Sequence, residues 1–428
     1  MNTSEQSVQY ALGEVVAKAW KQNAFYRDFW RKNNFSAEPF SAKEFSRVPI
    51  LRKSDLLEMN VRDRSTFLNK EKYHFAIASS GTTASPIVSL HNETPIAPYY
   101  SFITQRCSYS ALLVLRRSSY NFLPLVAVSQ YCTPGTIMAE GDLDDLDYTA
   151  RIAAEIRMDH LATSPSIAVR FGKILAKQGF PLHGVTFLYV SGEPLTHAAY
   201  LVLKELYSNA LIVNGYSITE AGATMGHSSS YCVNLHSKSR NAYHLNTRDA
   251  YYEVIDGNLV VTILRNLPFP LIRYDTGDKV VLEDDFSCTC GFGTGSIAVV
   301  GPRDGLKSYK IGATVFRVEE FKSVLEEELS TLFTSDCEVY IEQEKIGQSL
   351  LAAPTLILRP KFMTPHPRFN GMIAKYFLDR ITVSPNMSLG QAIKFGISKP
   401  LRIQYDKNIT GQKIYPPREI RTPFEVQK

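Results

Sequence analysis

The sequence contains no long apolar segment. Its longest apolar runs, such as the one at 111–115, end at arginine residues. They are far shorter than the roughly 18 apolar residues of a membrane span. The first six residues also lack the basic-then-apolar pattern of a signal peptide. We therefore expect a cytoplasmic protein that has no membrane partner.

Cysteine is scarce, with six residues among 428, and the net charge is only +5. The cytoplasm keeps thiols reduced, so we expect no disulfide framework, while metal binding stays open. A charge this small does not indicate a nucleic-acid partner. The 24 glycines and 22 prolines form no repeat, which excludes collagen-like and low-complexity classes. The 44% of hydrophobic residues is typical of a globular protein, and the length predicts two or three domains.

Strand-like and helix-like patterns alternate between residues 74 and 215. The predicted strands are 75–78, 121–128, 185–190 and 211–213, and the predicted helices are 165–178 and 195–207. Alternation of this kind is typical of a largely parallel sheet covered by helices.

The pattern becomes β-rich after residue 245. Two apolar runs around Asp256-Gly257 predict a hairpin with a tight turn. A turn-like run at 301–305 then precedes a small α+β unit. We predict an α/β protein with a large N-terminal domain of helix-covered sheets and a β-rich subdomain (1–302), followed by a small α+β C-terminal domain (303–428).

The most restrictive local feature is the run Ser79-Ser80-Gly81-Thr82-Thr83-Ala84-Ser85-Pro86, which follows a predicted strand. Small side chains let a backbone approach a ligand closely, and successive N–H and hydroxyl groups can form a nest for phosphate oxygens. A surface turn of the same composition is the alternative. The run is not a Walker A loop, because no Gly-Lys-Ser/Thr closes it.

Five motifs in order resemble the adenylate-forming acyl-ligase superfamily, and within it the phenylacetate–CoA ligase-like branch. They are the 79–86 loop, Thr163-Ser164-Pro165-Ser166, Ser191-Gly192-Glu193-Pro194-Leu195, Tyr216-Ser217-Ile218-Thr219-Glu220 and Ile272-Arg273-Tyr274-Asp275-Thr276-Gly277-Asp278. Segments 25–27 and 48–56 are similar to the N-terminal part of that branch. The resemblance covers nearly the whole chain and is weakest after about residue 330.

The resemblance implies ATP-dependent activation of a carboxylic acid to an acyl-AMP, followed by transfer to a thiol, above all that of coenzyme A. An aryl or arylacetic acid is the substrate class of the branch. The ATP-binding residues implied are Ser79, Ser80, Gly81, Thr82, Thr83, Tyr216, Ser217, Arg273, Asp278 and Arg303. Tyr216 would lie beside the adenine and Asp278 would accept hydrogen bonds from the ribose.

Three residues carry the implied catalytic roles. Thr219 would contact the α-phosphate, and Glu220 would hold Mg²⁺, which prefers carboxylate and phosphate oxygens. Lys413 resembles the adenylation lysine, whose charge would neutralise developing negative charge. A basic surface residue is the alternative for Lys413.

The resemblance also implies an acyl pocket and a hinge. Tyr131, Ser191, Gly192 and Glu193 would border the acyl group. Asp304, with Arg303, would be the hinge on which the small C-terminal domain moves as a mobile lid. A homodimer is compatible with the branch, although no sequence feature establishes it.

A cysteine motif, Cys288-Thr289-Cys290-Gly291, occurs where some members of the branch have part of a structural zinc site. By this resemblance, Cys232 and His244 would complete a Cys₃His set, with His236 as the rival to His244. Reduced thiols without a metal are the alternative.

The chain departs from the family pattern at several positions. Ala84 and Ser217 replace glycines, and Ser85 stands where the loop lysine is usual. These departures leave two further readings open. The acyl acceptor could be a carrier protein, an amine or another nucleophile, or the chain could bind a nucleotide or acyl ligand without turnover. The retained Glu220, Asp278 and Lys413 favour an enzyme.

Overall fold

The computed structural model describes residues 3–38, 40–65, 74–78, 87–92, 111–114, 137–221, 223–264, 268–288, 290, 293–301, 306, 308–311, 314–347, 349–384 and 387–418. The predicted strand at 121–128 and the phosphate loop at 79–86 lie outside these residues. So do Tyr131, Arg303 and Asp304.

Helices are found in both halves of the chain. They are α1 (Thr3–Gln22), α2 (Ala24–Lys32), α3 (Lys53–Leu57), α4 (Val61–Arg64), α5 (Leu146–Glu155), α6 (Pro165–Lys177), α7 (His197–Leu206), α8 (Val233–Lys238), α9 (Val318–Glu327), α10 (Asn370–Leu378) and α11 (Leu389–Lys394). Short 3₁₀ turns lie at Ala42–Arg47, Leu182–Gly184, Thr219–Ala221 and Pro367–Phe369. Within the described ranges, each helix is too short or too polar to cross a bilayer.

The strands of the first 301 residues form a two-stranded and an eleven-stranded sheet in the part of the chain that is described. The strands are β1 (His74–Ala78), β2 (Val88–Asn92), β3 (Ala111–Val114), β4 (Ile137–Glu140), β5 (His160–Thr163), β6 (Phe187–Ser191), β7 (Leu211–Ile218), β8 (Ala223–Ser229), β9 (Ala242–Leu245), β10 (Ala250–Ile255), β11 (Asn258–Ile263), β12 (Tyr274–Cys288) and β13 (Gly293–Val300). The eleven strands follow the order β10-β11-β12-β13-β9-β8-β7-β6-β5-β3-β4.

The large sheet changes character at β7. From β4 to β7 neighbouring strands are parallel, whereas from β7 to β10 they are antiparallel. The predicted parallel sheet is therefore one half of the structure, and the β-rich pattern after residue 245 continues it. The predicted strand at 75–78 is not part of this sheet, because β1 pairs antiparallel with β2 in the separate two-stranded sheet. The hairpin at Asp256-Gly257 is confirmed, and both turn residues have the positive φ of a tight turn (53° and 76°).

Separate hydrophobic cores stabilise the two halves of this sheet. Apolar side chains of α5, α6 and α7, such as Phe171 and Leu203, pack on Leu161 and Leu188 of the parallel strands. The N-terminal helices instead bury their aromatic residues, including Trp30, against the antiparallel strands. The N-terminal segment thus supports the β-rich half, and α5–α7 support the parallel half.

Residues after 306 form an α+β unit with its own core. Its strands are β14 (Ser308–Ile311), β15 (Thr314–Arg317), β16 (Phe333–Ile346), β17 (Ser349–Pro360), β18 (Thr382–Ser384), β19 (Met387–Ser388), β20 (Arg402–Tyr405) and β21 (Gln412–Tyr415). A four-stranded sheet has the order β20-β17-β16-β21. Apolar side chains from 311 to 414, among them Phe321 and Phe377, form one cluster.

The β16–β17 hairpin contacts the first domain. Lys173 Nζ of α6 donates a 2.9 Å hydrogen bond to Ser349 Oγ. Lys345 forms an ion pair with Glu205 of α7. Thr196 donates a hydrogen bond to Gln343. These contacts place the C-terminal unit against the ends of α6 and α7.

Candidate active site and metal centre

The carboxyl ends of three adjacent parallel strands meet at one edge of the large sheet. β5 is followed by Ser164, β6 ends in Ser191 before Glu193, and β7 leads into the turn Thr219–Ala221. In open α/β sheets, ligands bind at this edge, outside the carboxyl ends of the strands. Three of the five motifs therefore come together at one edge of the sheet.

Tyr216 and Asp278 are in direct contact. The Tyr216 hydroxyl donates a 2.7 Å hydrogen bond to Asp278 Oδ2. The pairing of β11 with β12 shifts between Asn258 and Val260, so that the segment 275–279 has more residues than its partner. Gly277, at φ 73°, lies in this bulge. A bulge re-aims a side chain, and here it presents Asp278 to Tyr216.

Glu220 also accepts a hydrogen bond from a tyrosine. The Tyr274 hydroxyl donates to Glu220 Oε1 at 3.0 Å. Tyr274 is buried, whereas Glu220 and Thr219 are half-buried and Ser217 is exposed. The Glu220 carboxylate is held at one oxygen and has solvent on its open side. The sequence assigned Tyr274 to a motif but gave it no role.

Gly215 lets a third tyrosine approach this edge. A Cβ atom on Gly215 would lie 2.1 Å from the Tyr189 hydroxyl oxygen. Tyr189 is buried, and it belongs to β6, next to β7. Any larger residue at 215 would displace the Tyr189 ring.

Glu193 caps a helix. Its carboxylate accepts hydrogen bonds from Ser164 Oγ (3.0 Å), Ser166 Oγ (2.9 Å) and the Ser166 N–H (3.4 Å). These groups form the first turn of α6, where the helix dipole favours a negative charge. Ser164 is the N-cap residue of α6, but its hydroxyl donates to Glu193 and makes no capping hydrogen bond to the helix backbone. The predicted acyl-pocket role of Glu193, Ser191 and Gly192 stays a prediction.

A buried polar network behind this edge was not foreseen from the sequence. Asn214 Nδ2 donates to the Tyr243 hydroxyl, which donates to Asn241 Oδ1, each at 3.2 Å. Asn241 Oδ1 also accepts the Leu195 N–H at 3.0 Å. The network therefore ties the loop after β6 to β7 and β9. Its members are isolated in the sequence and belong to no motif.

Arg273 lies in a buried ion pair. Its Nε and Nη2 donate to the two carboxylate oxygens of Glu253, both at 3.1 Å. Its Nη1 donates to the backbone oxygens of Ser46 (2.6 Å) and Val48 (2.5 Å). Four of the five guanidinium N–H groups are thus used in joining the N-terminal segment to β10 and β12. The predicted ATP contact of Arg273 stays a prediction, and these contacts give the residue a structural role.

Lys413 lies on the C-terminal sheet. It is paired with Glu338 in the register of β16 and β21, and its Nζ is 3.9 Å from Glu338 Oε1. Glu338 also accepts hydrogen bonds from the hydroxyls of Tyr340 (2.8 Å) and Tyr415 (3.1 Å). The Lys413 side chain is half exposed. Among the contacts of the described residues, Lys413 therefore pairs with its own domain.

Known structures share this architecture. No protein-family model matches the sequence, and no curated protein matches it. The crystal structure of 2-hydroxyisobutyryl-CoA ligase in the thioesterification state, with 2-HIB-AMP and CoA, gives a TM-score of 0.66 at 16% identity. The match covers 100% of this chain and 93% of the ligase chain. The same ligase in the postadenylation state with 2-HIB-AMP gives 0.61 at 16% identity, with the same coverage.

This chain has the fold of an adenylate-forming CoA ligase. An open conformation of 2-hydroxyisobutyryl-CoA ligase with 2-HIB-AMP and CoA also matches, with a TM-score of 0.61 at 16% identity. It covers 95% of this chain and 88% of that chain. The predicted α/β class, with a large N-terminal and a small C-terminal domain, is therefore confirmed.

A cluster of three cysteines and one histidine lies within this ligase fold, at β9, the end of β12 and the start of α8. The donor atoms of Cys232, His244, Cys288 and Cys290 all lie within 4.8 Å of one another, and the four residues are buried. A zinc–sulfur bond of about 2.3 Å places tetrahedral ligands roughly 3.8 Å apart. The donor set and its spacing fit a closed zinc site. Within the described ranges, the three cysteines of the cluster and Cys337 form no disulfide bond.

His236, the alternative to His244 as a metal ligand, is not part of this cluster. Its Nδ1 accepts a 2.7 Å hydrogen bond from Arg240 Nη1. Burial, with the neighbouring positive charge of Arg240, lowers the pKa of His236 to about 4. His244 is the histidine of the cluster, and its Nε2 is 3.3 Å from Cys290 Sγ.

Proposed function

We propose that this chain is an AMP-forming ligase that activates a carboxylic acid with ATP and transfers the acyl group to the thiol of coenzyme A. The observation that carries the proposal is the pair of carboxylates at the carboxyl edge of the sheet, Asp278 and Glu220, each oriented by a tyrosine hydroxyl. The structures of 2-hydroxyisobutyryl-CoA ligase, whose fold this chain shares, contain an acyl-AMP and CoA. The branch is that of the phenylacetate–CoA ligases, with an aryl or arylacetic acid as substrate.

The first step forms the acyl-AMP. A carboxylate oxygen of the acid attacks the α-phosphorus of ATP, and the bond to the pyrophosphate oxygen breaks. The loop at 79–86, Ser217 and Arg303 bind the nucleotide, Tyr216 lies beside the adenine and Asp278 accepts hydrogen bonds from the ribose. Thr219 donates to the α-phosphate, and Lys413 neutralises its developing charge.

Glu220 fits a magnesium ion. A half-buried carboxylate with one oxygen held by Tyr274 offers the hard, oriented oxygen that this cation prefers. Bound there, Mg²⁺ would offset the negative charge of the ATP phosphates.

The second step forms the thioester. The sulfur of coenzyme A attacks the acyl carbonyl carbon, the bond to the AMP oxygen breaks and AMP leaves. We propose that the domain moves about Asp304 between the two steps, with a boundary near residue 303.

The proposal is tested by pyrophosphate release. The chain is incubated with Mg-ATP and pooled aromatic and aliphatic acids, with and without CoA, and products are identified by mass spectrometry. We expect acyl-AMP without CoA and an acyl-CoA with it. If acyl-AMP forms and CoA does not consume it, the acceptor would be a carrier protein or an amine instead of CoA. ATP binding without pyrophosphate release for any acid would contradict an enzyme and favour a binding protein.

Two lysine variants, one of them a control, test the role of Lys413 in this experiment. Lys413→Ala should lower pyrophosphate release at least about 100-fold, because it removes a charge that acts in the transition state. Thioester formation from supplied acyl-AMP should be retained, since that step does not use the lysine. Lys407→Ala, an exposed lysine in the same domain, is the control and should change neither rate. Equal rates for both variants would contradict the role of Lys413.

We propose further that Cys232, His244, Cys288 and Cys290 hold a structural zinc ion. The proposal is supported by their burial and by the spacing of their donor atoms. Metal analysis of the purified protein should find one zinc per chain. His244→Ala should lose it and His236→Ala should keep it. A metal-free wild-type protein purified without chelator would contradict the proposal.

A further inference from the structure

The C-terminal domain carries an exposed surface that is both apolar and basic. It consists of Lys361, Phe362, Met363, Arg368, Phe369, Met372, Lys375 and Tyr376, which we call the basic apolar surface. Phe362 and Met363 are 80% and 84% exposed, and Met372 is 62% exposed. Five large apolar side chains exposed within one segment, residues 362–376, are unusual on a monomeric protein and point to an interaction site.

The helical part of this surface is one continuous stripe. Phe369 ends a 3₁₀ turn, and Met372 and Tyr376 follow at the spacing that places side chains on one face of α10. Ile373 and Phe377 lie about 100° further round the helix and are buried in the domain core. The helix is therefore apolar on two sides, of which only one has a partner in the described residues.

The apolar stripe is flanked by cations. The Arg368 guanidinium lies over the Phe369 ring, 4.8 Å from its centroid. Between residues 361 and 378 the sequence has two lysines and one arginine and no acidic residue. In the described part of the chain, Lys361, Arg368 and Lys375 form no ion pair. The exposed Asp379 directly follows this segment, and Glu327 and Glu328, at the end of α9, are paired with Arg380.

Two anchors hold this surface on the domain. The Lys361 N–H donates to the Leu332 backbone oxygen at 2.9 Å, at the base of the loop. Asn370, at the start of α10, donates to the Ile403 oxygen and accepts from the Tyr405 hydroxyl. The exposed side chains therefore project from a fixed frame.

We infer that the basic apolar surface binds the interface of an anionic lipid bilayer. Lys361, Arg368 and Lys375 would meet the negative headgroups, and the Phe, Met and Tyr side chains would enter the boundary of the acyl region. Self-pairing of the surface in a symmetric dimer would bring like charges together. Its most exposed side chains protrude from a loop, whereas the dominant residues of protein interfaces fill pockets.

This inference is independent of the proposed function and changes one sequence-based expectation. The expected absence of a membrane partner depends on the absence of a membrane span. Interfacial binding requires no span, because apolar side chains enter only the headgroup boundary.

The test is flotation of the full chain with vesicles of phosphatidylcholine, either alone or with 30% phosphatidylglycerol. We expect binding to the anionic vesicles in low salt, weaker binding to phosphatidylcholine alone, and release in high salt. Arg368→Gln/Lys375→Gln should lower partitioning to anionic vesicles about 20-fold. Phe362→Ser/Met363→Ser should lower partitioning in low salt both to the anionic vesicles and to phosphatidylcholine alone.

Matched controls are available on the first domain. Lys21→Gln/Lys177→Gln makes the same charge change at two exposed lysines, and Tyr10→Ser removes an exposed ring. Both should bind as the wild type does. Thermal melting checks that every variant is folded. Wild-type protein that floats with neither kind of vesicle would overturn the inference. The basic apolar surface would then be a binding site for an acidic protein. Equal partitioning of wild type and both double variants would overturn it as well.

Discussion

The hydroxyl of Tyr216 donates a 2.7 Å hydrogen bond to Asp278, a residue 62 positions further along the chain. The contact joins two motifs that the sequence assigned to the same nucleotide. It orients one carboxylate oxygen of Asp278. The two residues are therefore expected to act on adjoining parts of ATP, the adenine and the ribose.

Asp278→Asn should lower kcat/KM for ATP about 100-fold, since the amide has one acceptor oxygen where the carboxylate has two, and it carries no charge. Tyr216→Phe keeps the ring and should cost about tenfold. Pyrophosphate release at varied ATP concentrations measures both. An Asp278→Asn variant with unchanged KM for ATP would remove Asp278 from the nucleotide site.

Tyr274→Phe should weaken Mg²⁺ binding and leave the protein folded. The variant frees Glu220 Oε1, so the carboxylate is no longer oriented. Loss of a second-sphere hydrogen bond of this kind raises the half-saturating metal concentration by about tenfold. The activity of variant and wild type is titrated with Mg²⁺. Tyr252→Phe, which loses a hydroxyl bonded to the Met225 oxygen, is the control. A shift of equal size in the control would exclude a specific role for Tyr274.

Arg273→Lys should destabilise the protein. Lysine cannot make the paired contacts to Glu253 and also reach the oxygens of Ser46 and Val48. Breaking a buried ion pair costs about 3–5 kcal/mol, whereas Arg402→Lys, in an exposed pair with Glu344, should cost less than about 1 kcal/mol. Urea unfolding measures both values. If Arg273→Lys keeps the stability of the wild type but loses ATP affinity, Arg273 belongs to the nucleotide site.

Zinc removal should lower the melting temperature. The four buried donors join β9, the end of β12 and α8, so the folded state binds the ion more tightly than the unfolded chain does. Calorimetry with and without a strong chelator is expected to give a fall of several degrees. The His244→Ala variant should melt at the chelated temperature whether or not chelator is present. An unchanged wild-type melting temperature would show that the cluster needs no metal.

His160 should make the protein less stable in acid. Burial, partly opposed by Asp159, lowers the pKa of His160 below its usual value of 6.5. The unfolded chain then binds a proton that the folded chain resists, so the free energy of unfolding falls as the pH falls below 6.5. His160→Gln should lose less stability than wild type between pH 7 and pH 5. Urea unfolding at the two pH values measures the difference, and equal losses would contradict it.

Motifs in the sequence identified Tyr216, Glu220 and Asp278, and the structure places them at or beside one edge of the sheet. They could be found because each belongs to a short, ordered run of residues. Tyr274 lies in such a run, but the run does not reveal its contact with Glu220, and Asn214, Asn241 and Tyr243 belong to none of the five motifs. Their partners depend on strand register, which no local pattern records.

Other residues were assigned from the motif around them and have a further contact in the structure. Glu193 caps α6, and Arg273 joins the N-terminal segment to Glu253. A motif indicates that a residue type is required at a position, but it does not distinguish a ligand contact from a structural contact. The same limit kept His236 open as the rival to His244 until their positions on α8 and β9 separated them.

The sequence by itself determined the α/β class, the parallel strands with their helices, the β-hairpin at Asp256-Gly257 and the residue types of both candidate sites. Hydrophobic period and turn chemistry act over a few residues, and those features are local. The tertiary structure decided which tyrosine holds which carboxylate, which histidine joins the cysteines and which apolar side chains of α10 stay in solvent. Each of these depends on pairings between distant segments, which form only when the sheets and helices pack.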